Sequence, residues 1–248
     1  MPKSSTPDQP LAIFDLDGTL FRWQLYYEVV LKLLERDFFS AEQAAEIRRA
    51  FHGWQSRTEA FHNFEVIAID ALTAHLPVLR VDEFSQIVGE VLDESSHKVY
   101  SYTRELAKKL KRDGYHLLAI SGSMQEIAEP FALEYGFDAC IGWLYERNGD
   151  YFTGNTTRVT VGRKGELIRE YAKKYGFSFV GSIAIGDSKG DLEMLELVEI
   201  PIAFNPNDEL LEVAKNHGWR VVIERKNVAY TLEKGNDGSF VLAKTDIY

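Results

Sequence analysis

Apolar positions along this chain change their period twice. Leu11-Ala12-Ile13-Phe14 is a continuous apolar run, the mark of a strand buried on both faces, and it stops at Asp15 and Asp17. After Thr19 the spacing becomes helical. Tyr26, Val29, Val30, Leu33 and Leu34 predict a first helix. Ser40 with Gln43 reads as a capping box opening a second, which continues through Ile47, Ala50, Phe51 and Trp54. A third runs through Phe61, Phe64, Ala68, Ala71 and Leu72 and stops before Pro77, and a fourth carries Phe84, Ile87, Val88, Val91 and Leu92. No strand-like alternation interrupts them, so residues 21–98 read as a helical cap inserted after the first strand.

From Tyr102 onward helix and strand alternate. Four junctions share one form: Asp113-Gly114-Tyr115, Tyr135-Gly136-Phe137, Tyr175-Gly176-Phe177 and His217-Gly218-Trp219. A glycine just past a helix accepts the left-handed conformation, and the next apolar residue packs back on the helix. Strands are expected at 117–121, 179–185 and 220–223, with shorter runs at 139–141 and 200–203. This alternation implies an α/β fold with a mostly parallel sheet flanked by helices. Arg147-Asn148-Gly149-Asp150 and Gly235-Asn236-Asp237-Gly238 mark two hairpin turns. The expected organisation is a loose tail over 1–9, an α/β core from 10–20 and 99–225, the helical cap over 21–98, and a hairpin extension over 226–248.

Composition narrows the function classes. A net charge of −10 argues against a nucleic-acid-binding face. It leaves room for a small anionic substrate, because a few cations in a cleft reverse the local field. The single cysteine, Cys140, allows no internal disulfide and reads as buried filler. The six histidines have no metal-ligand spacing, and no apolar run is long enough to span a bilayer. The polar first residues carry no apolar signal region, so a cytoplasmic protein is expected.

Chemistry is expected beyond the carboxyl ends of the strands. Period-two geometry puts Asp15 and Asp17 on one side of an extended segment, where two close anions call for a hard divalent cation. Ser121-Gly122-Ser123 offers a hydroxyl and free amides just before a helix. Lys164 precedes another helix, beside the alternative cation Arg163. Ser182–Ile185 leads into Gly186-Asp187 with Asp191 four residues on. Each piece alone has a plain structural use as a turn, loop, surface charge or helix cap.

Together, in this order, they resemble the four motifs of the haloacid-dehalogenase-like hydrolase superfamily, and the helical insert after the first motif resembles its phosphoserine-phosphatase-like branch. The resemblance implies a Rossmann-like core and a magnesium-dependent phosphatase acting on a small phosphorylated metabolite through an aspartyl-phosphate. A phosphotransferase or phosphomutase using the same intermediate is the alternative. Asp15 would be nucleophile and Asp17 general acid/base. Ser121, Gly122 and Lys164 would bind phosphate. Asp15, Asp187 and the backbone of Asp17 would hold magnesium, with Asp191 behind them. Lys164 is preferred over Arg163 by motif position. Two positions depart from the branch: Gln24 stands where phosphoserine phosphatases carry an acidic residue for the substrate amine, and Gly190 where they carry an asparagine. Trp23 or Tyr27 is expected to approach the cleft. A monomer or homodimer without nucleic-acid or membrane partners is expected.

Overall fold

The computed structural model describes residues 9–236 and 238–248. The tail expected over 1–9 therefore lies, apart from Gln9, outside the described residues, as does Asp237 of the second turn. In chain order the elements are β1 (Leu11–Asp15), α1 (Leu25–Glu35), α2 (Ala41–Gln55), α3 (Phe61–His75), α4 (Val81–Ser95), α5 (Ser101–Arg112), β2 (His116–Met124), α6 (Gln125–Glu134), β3 (Ala139–Asn148), β4 (Tyr151–Arg158), α7 (Lys164–Tyr175), β5 (Ile183–Gly186), α8 (Leu192–Leu195), β6 (Ile200–Phe204), α9 (Asp208–His217), β7 (Arg220–Arg225), β8 (Val228–Lys234) and β9 (Phe240–Ile247).

The chain forms two units. One comprises the residues up to Gln24, His97–Trp143 and Val159–Tyr248; the other comprises Leu25–Ser96 and Leu144–Arg158. The first is built on the parallel strands β3-β2-β1-β5-β6-β7, extended by the antiparallel β8 and β9. Every residue of β1 is buried, as its unbroken apolar run requires. Leu11, Ile13, Leu118, Ile120, Ile168 and Ala184 belong to its core. After β1 the next strand of the sheet, β2, lies on one side of it, while β5 lies on the other. This switch in strand order opens a crevice at the carboxyl end of β1.

All four glycine junctions close as the pattern implies. Gly114, Gly136, Gly176 and Gly218 have φ between 69° and 88°. The following aromatic N–H returns to a helix carbonyl, as Phe177 does to Ala172 at 2.9 Å. The strand expected over 179–185 begins only at Ile183, because Gly181 takes φ 67° and the Ser182 N–H turns back to the Phe179 carbonyl at 3.2 Å. The short run at 139–141 grows into the ten-residue β3, whose far half pairs with β4. A further hairpin joins β7 to β8 through Lys226 and Asn227.

In the second unit, the capping box of α2 is present, with Ser40 Oγ accepting from the Gln43 N–H at 3.3 Å and Gln43 returning to the Ser40 N–H at 3.2 Å. The boundary expected for 99–225 fails at 144–158. This part of the hairpin packs with the helices: Val81 N–H donates to the Asp150 carbonyl at 2.8 Å, and the Phe84 and Phe152 rings meet at 5.4 Å. Tyr27 is spent on this unit's core, 2% exposed between Phe61 and Phe64. Among the described residues no helix is long and apolar enough to cross a membrane.

Candidate active site

Asp15 ends β1, and the chain then doubles back on itself. Leu20 and Phe21 N–H groups donate to the Leu16 carbonyl, and the Gly18 N–H donates to Phe21 and Trp23 carbonyls at 3.0 Å. Gly18 has φ 81°, and a Cβ there would lie 2.1 Å from Asp187 Oδ2. Only glycine meets both conditions, so this residue lets Asp187 reach toward the β1 end. Gly186 serves a similar close approach, since a Cβ on it would lie 2.5 Å from that of Asp191.

Lys164 opens α7 and is buried. Its ammonium donates to Asp15 Oδ1 and Asp191 Oδ1, each at 2.6 Å. The second oxygen of Asp191 accepts from the backbone N–H groups of Asp187 and Ser188, both at 3.0 Å, and from Ser188 Oγ at 3.3 Å. One carboxylate thus shapes the loop after β5 and holds the lysine. Arg163, the competing cation, is engaged elsewhere: it pairs with Glu166 on the exposed face of the helix at 2.8 Å.

Asp17 has a different setting. Ser121 Oγ donates to it, and Ser123 Oγ lies 3.0 Å from both of its oxygens. Ser121 Oγ in turn accepts the Ser123 N–H at 2.8 Å, and its carbonyl accepts from the buried Thr160 hydroxyl at 2.8 Å. Gly122 stands between the two serines near the end of β2. Ser123 and Thr160 were not among the sequence candidates. Ser121 and Ser123 are two apart on extended chain, and that spacing was the available signal.

Electrostatics at the site are unbalanced. Lys164 is held by Asp15 and Asp191, and Asp187 and Asp17 add further negative charge beside Asp15. Burial pushes the Asp15 carboxyl well above the usual range, and Asp191, Asp187 and Asp17 push the same way against Lys164. Asp187 rises from 3.8 to about 8, through burial first and Asp191 next. Burial disfavours the Lys164 cation, yet Asp15 and Asp191 outweigh it and raise its pKa. Oxygens of Asp15, Asp187 and Asp191 lie within 4.8 Å of one another. An all-oxygen donor set with excess buried negative charge fits a hard divalent cation such as magnesium.

The sequence profile of the haloacid dehalogenase-like hydrolases matches residues 12–196. The chain belongs to this family. As a family member it resembles several curated proteins. One is a phosphoserine phosphatase of Mycobacterium tuberculosis, 29% identical over 206 residues, with 82% of this chain and 46% of that protein covered. Another is a histidinol-phosphatase of Neisseria meningitidis serogroup C, 29% identical over 232 residues, with 86% of this chain and 97% of that protein covered. The chain thus spans about half of the first relative and nearly all of the second.

Among solved structures, a protein of unknown function from Bordetella pertussis Tohama I matches with a TM-score of 0.71 at 22% identity, over 87% of this chain and 98% of that one. A phosphoserine phosphatase determined as a phospho-aspartyl intermediate analogue matches with a TM-score of 0.58 at 20% identity, over 88% and 94%. These likenesses establish the α/β, Rossmann-like fold.

Proposed function

We propose that this family member is a magnesium-dependent phosphatase that hydrolyses a small phosphomonoester through an acyl phosphate on Asp15. The observation that carries the reading is the buried Lys164 ammonium, 2.6 Å from both Asp15 and Asp191, at the end of the strand that brings Asp17 beside them. A charge cluster of this kind is costly to bury, and phosphoryl transfer is chemistry that needs it.

A phosphate monoester dianion repels nucleophiles, and bound magnesium would screen that repulsion. Lys164 takes Asp15 Oδ1, which leaves Oδ2 to attack phosphorus in line. The bond to the ester oxygen breaks, and Asp17 supplies the proton that the departing alkoxide needs. Asp17 then takes a proton from the water that attacks the aspartyl-phosphate, so phosphate leaves and both carboxyl groups return to their starting states. Ser121, the Gly122 amide and Lys164 bind the equatorial oxygens. Ser121 has one hydroxyl proton, given to Asp17 in this structure, so binding phosphate requires it to change acceptor.

The relatives named for phosphoserine and histidinol phosphate point to a substrate class, the phosphate esters of small amino alcohols. Gln24 lacks the charge that would pair with a substrate amine, so an amine in this class would have to be bound by another group. Phosphate release is measured with and without magnesium from para-nitrophenyl phosphate, L-phosphoserine and L-histidinol phosphate. The expected result is magnesium-dependent release from at least one ester, abolished in Asp15→Asn. Undiminished release by Asp15→Asn overturns the proposal.

A further inference from the structure

We infer that Ser123 is a positioning residue that aims the Asp17 carboxyl during proton transfer. The inference rests on the phosphatase reading above. Asp17 receives two side-chain hydroxyls in this structure, from Ser121 and Ser123. The two serines have different duties ahead of them. Ser121 must turn its only proton toward a phosphate oxygen when substrate arrives, and Asp17 then loses that contact. The proposed mechanism assigns the Ser123 hydroxyl no phosphate oxygen. Its hydroxyl lies 3.0 Å from both oxygens of Asp17, and its N–H holds Ser121 Oγ at 2.8 Å. It can therefore keep the Asp17 carboxyl in place while Ser121 changes acceptor.

Both serines are buried, at 0% and 2% exposure, and Asp17 is half-buried, so the contacts are partly shielded from solvent. Their backbone is restrained as well, since Thr160 Oγ1 donates to the Ser121 carbonyl at 2.8 Å and Met124 pairs with Trp143 across the sheet. A hydroxyl on so fixed a backbone gives a direction as well as a contact. A proton transferred to an alkoxide must come from a group aligned with it, and misplacement by an ångström is costly in rate.

The role predicts a dependence on the leaving group that a purely structural part would lack. Para-nitrophenolate departs without a proton, so formation of the aspartyl-phosphate from para-nitrophenyl phosphate does not need Asp17. An alkyl ester does need it. Hydrolysis of the intermediate needs Asp17 as base whichever ester formed it.

Ser123→Ala and Ser123→Thr are compared with the wild type on para-nitrophenyl phosphate, L-phosphoserine and L-histidinol phosphate. The burst of nitrophenolate, the steady-state constants and the thermal melting of each variant are recorded. In Ser123→Ala, kcat/KM for whichever alkyl ester the wild type accepts should fall by about 10- to 100-fold, a fraction of a full acid–base contribution. The nitrophenolate burst rate should change by less than about threefold, followed by slow turnover and accumulated phosphoenzyme. Ser123→Thr keeps the hydroxyl and should recover most of the loss. A nitrophenolate burst slowed as much as kcat/KM for the alkyl ester, or a Thr variant no better than Ala at equal melting temperature, overturns the positioning role alone. A wild type inert toward all three esters sinks the phosphatase reading, and this inference with it.

Discussion

The two sides of the pocket treat neighbouring carboxylates in opposite ways. Asp15 lies against a buried ammonium, with Asp191 completing the ion cluster. Asp17, two residues further on, is met by the hydroxyls of Ser121 and Ser123. In the proposed mechanism the nucleophile must stay anionic and fixed; the Lys164 ammonium fixes Asp15 and favours its anion against the burial that raises its pKa, and bound magnesium would favour the anion further. A group that gives and takes a proton within one cycle is better served by neutral partners, which orient it without binding one charge state as strongly as an ammonium would. In the proposed mechanism, environment more than residue type would thus separate the two roles.

The difference can be broken at each side. Asp15→Asn should have the largest effect, lowering turnover by at least about 10³-fold and abolishing phosphoenzyme, because removing a nucleophile stops the first step. Asp17→Asn should lose about 10²- to 10⁴-fold in turnover yet still form phosphoenzyme from para-nitrophenyl phosphate, as seen by acid quench. If the two variants behave alike with that ester, the division of labour is wrong.

Lys164→Met tests the charged side through stability. It leaves Asp15 and Asp191 buried without their cation, and breaking a buried pair in this way costs about 3–5 kcal/mol. Urea unfolding in chelator should show the loss, and saturating magnesium should recover part of it.

A pH effect follows from Asp187, whose pKa rises from 3.8 to about 8 on folding. The folded state retains a proton that the unfolded state has released. This group's contribution to stability is therefore fully present at low pH and is lost as pH rises through about 8. Magnesium favours the carboxylate, so its stabilisation should be larger at pH 8 than at pH 5, with each 1 kcal/mol appearing as roughly 2–4 °C in melting temperature. Equal magnesium shifts at both pH values would count against Asp187 as a ligand.

Ser40→Ala is the smallest change and a control outside both sides. Loss of the α2 cap should cost about 1 kcal/mol and leave turnover unaltered.

Much of the pocket could be read from the chain, because its parts stand at element ends with unmistakable punctuation. Asp15, Asp17 and Asp187 stand at the ends of apolar runs, Asp191 follows four residues after Asp187, and Lys164 begins a helix. Ser123 escaped for a physical reason. Its role depends on β2 continuing past Ser121 to Met124, whereas Ser-Gly-Ser looks like the polar loop where a strand has already stopped. The same period-two argument that paired Asp15 with Asp17 would have paired the serines. The affiliation of 144–158 was not legible at all. It rests on contacts such as Phe84 with Phe152 and Gly154 with Pro77, far apart in sequence, which no local pattern encodes.

Asp191 illustrates how little slack such a pocket has. Both of its oxygens are committed as acceptors, one to an ammonium and the other to the amides and hydroxyl of a bend. An asparagine there would point hydrogen at hydrogen on one side or the other, whichever way its amide were turned. Any shift in that bend is therefore felt directly by the lysine, and through it by the Asp15 carboxylate. Backbone shape and reactivity share a single joint.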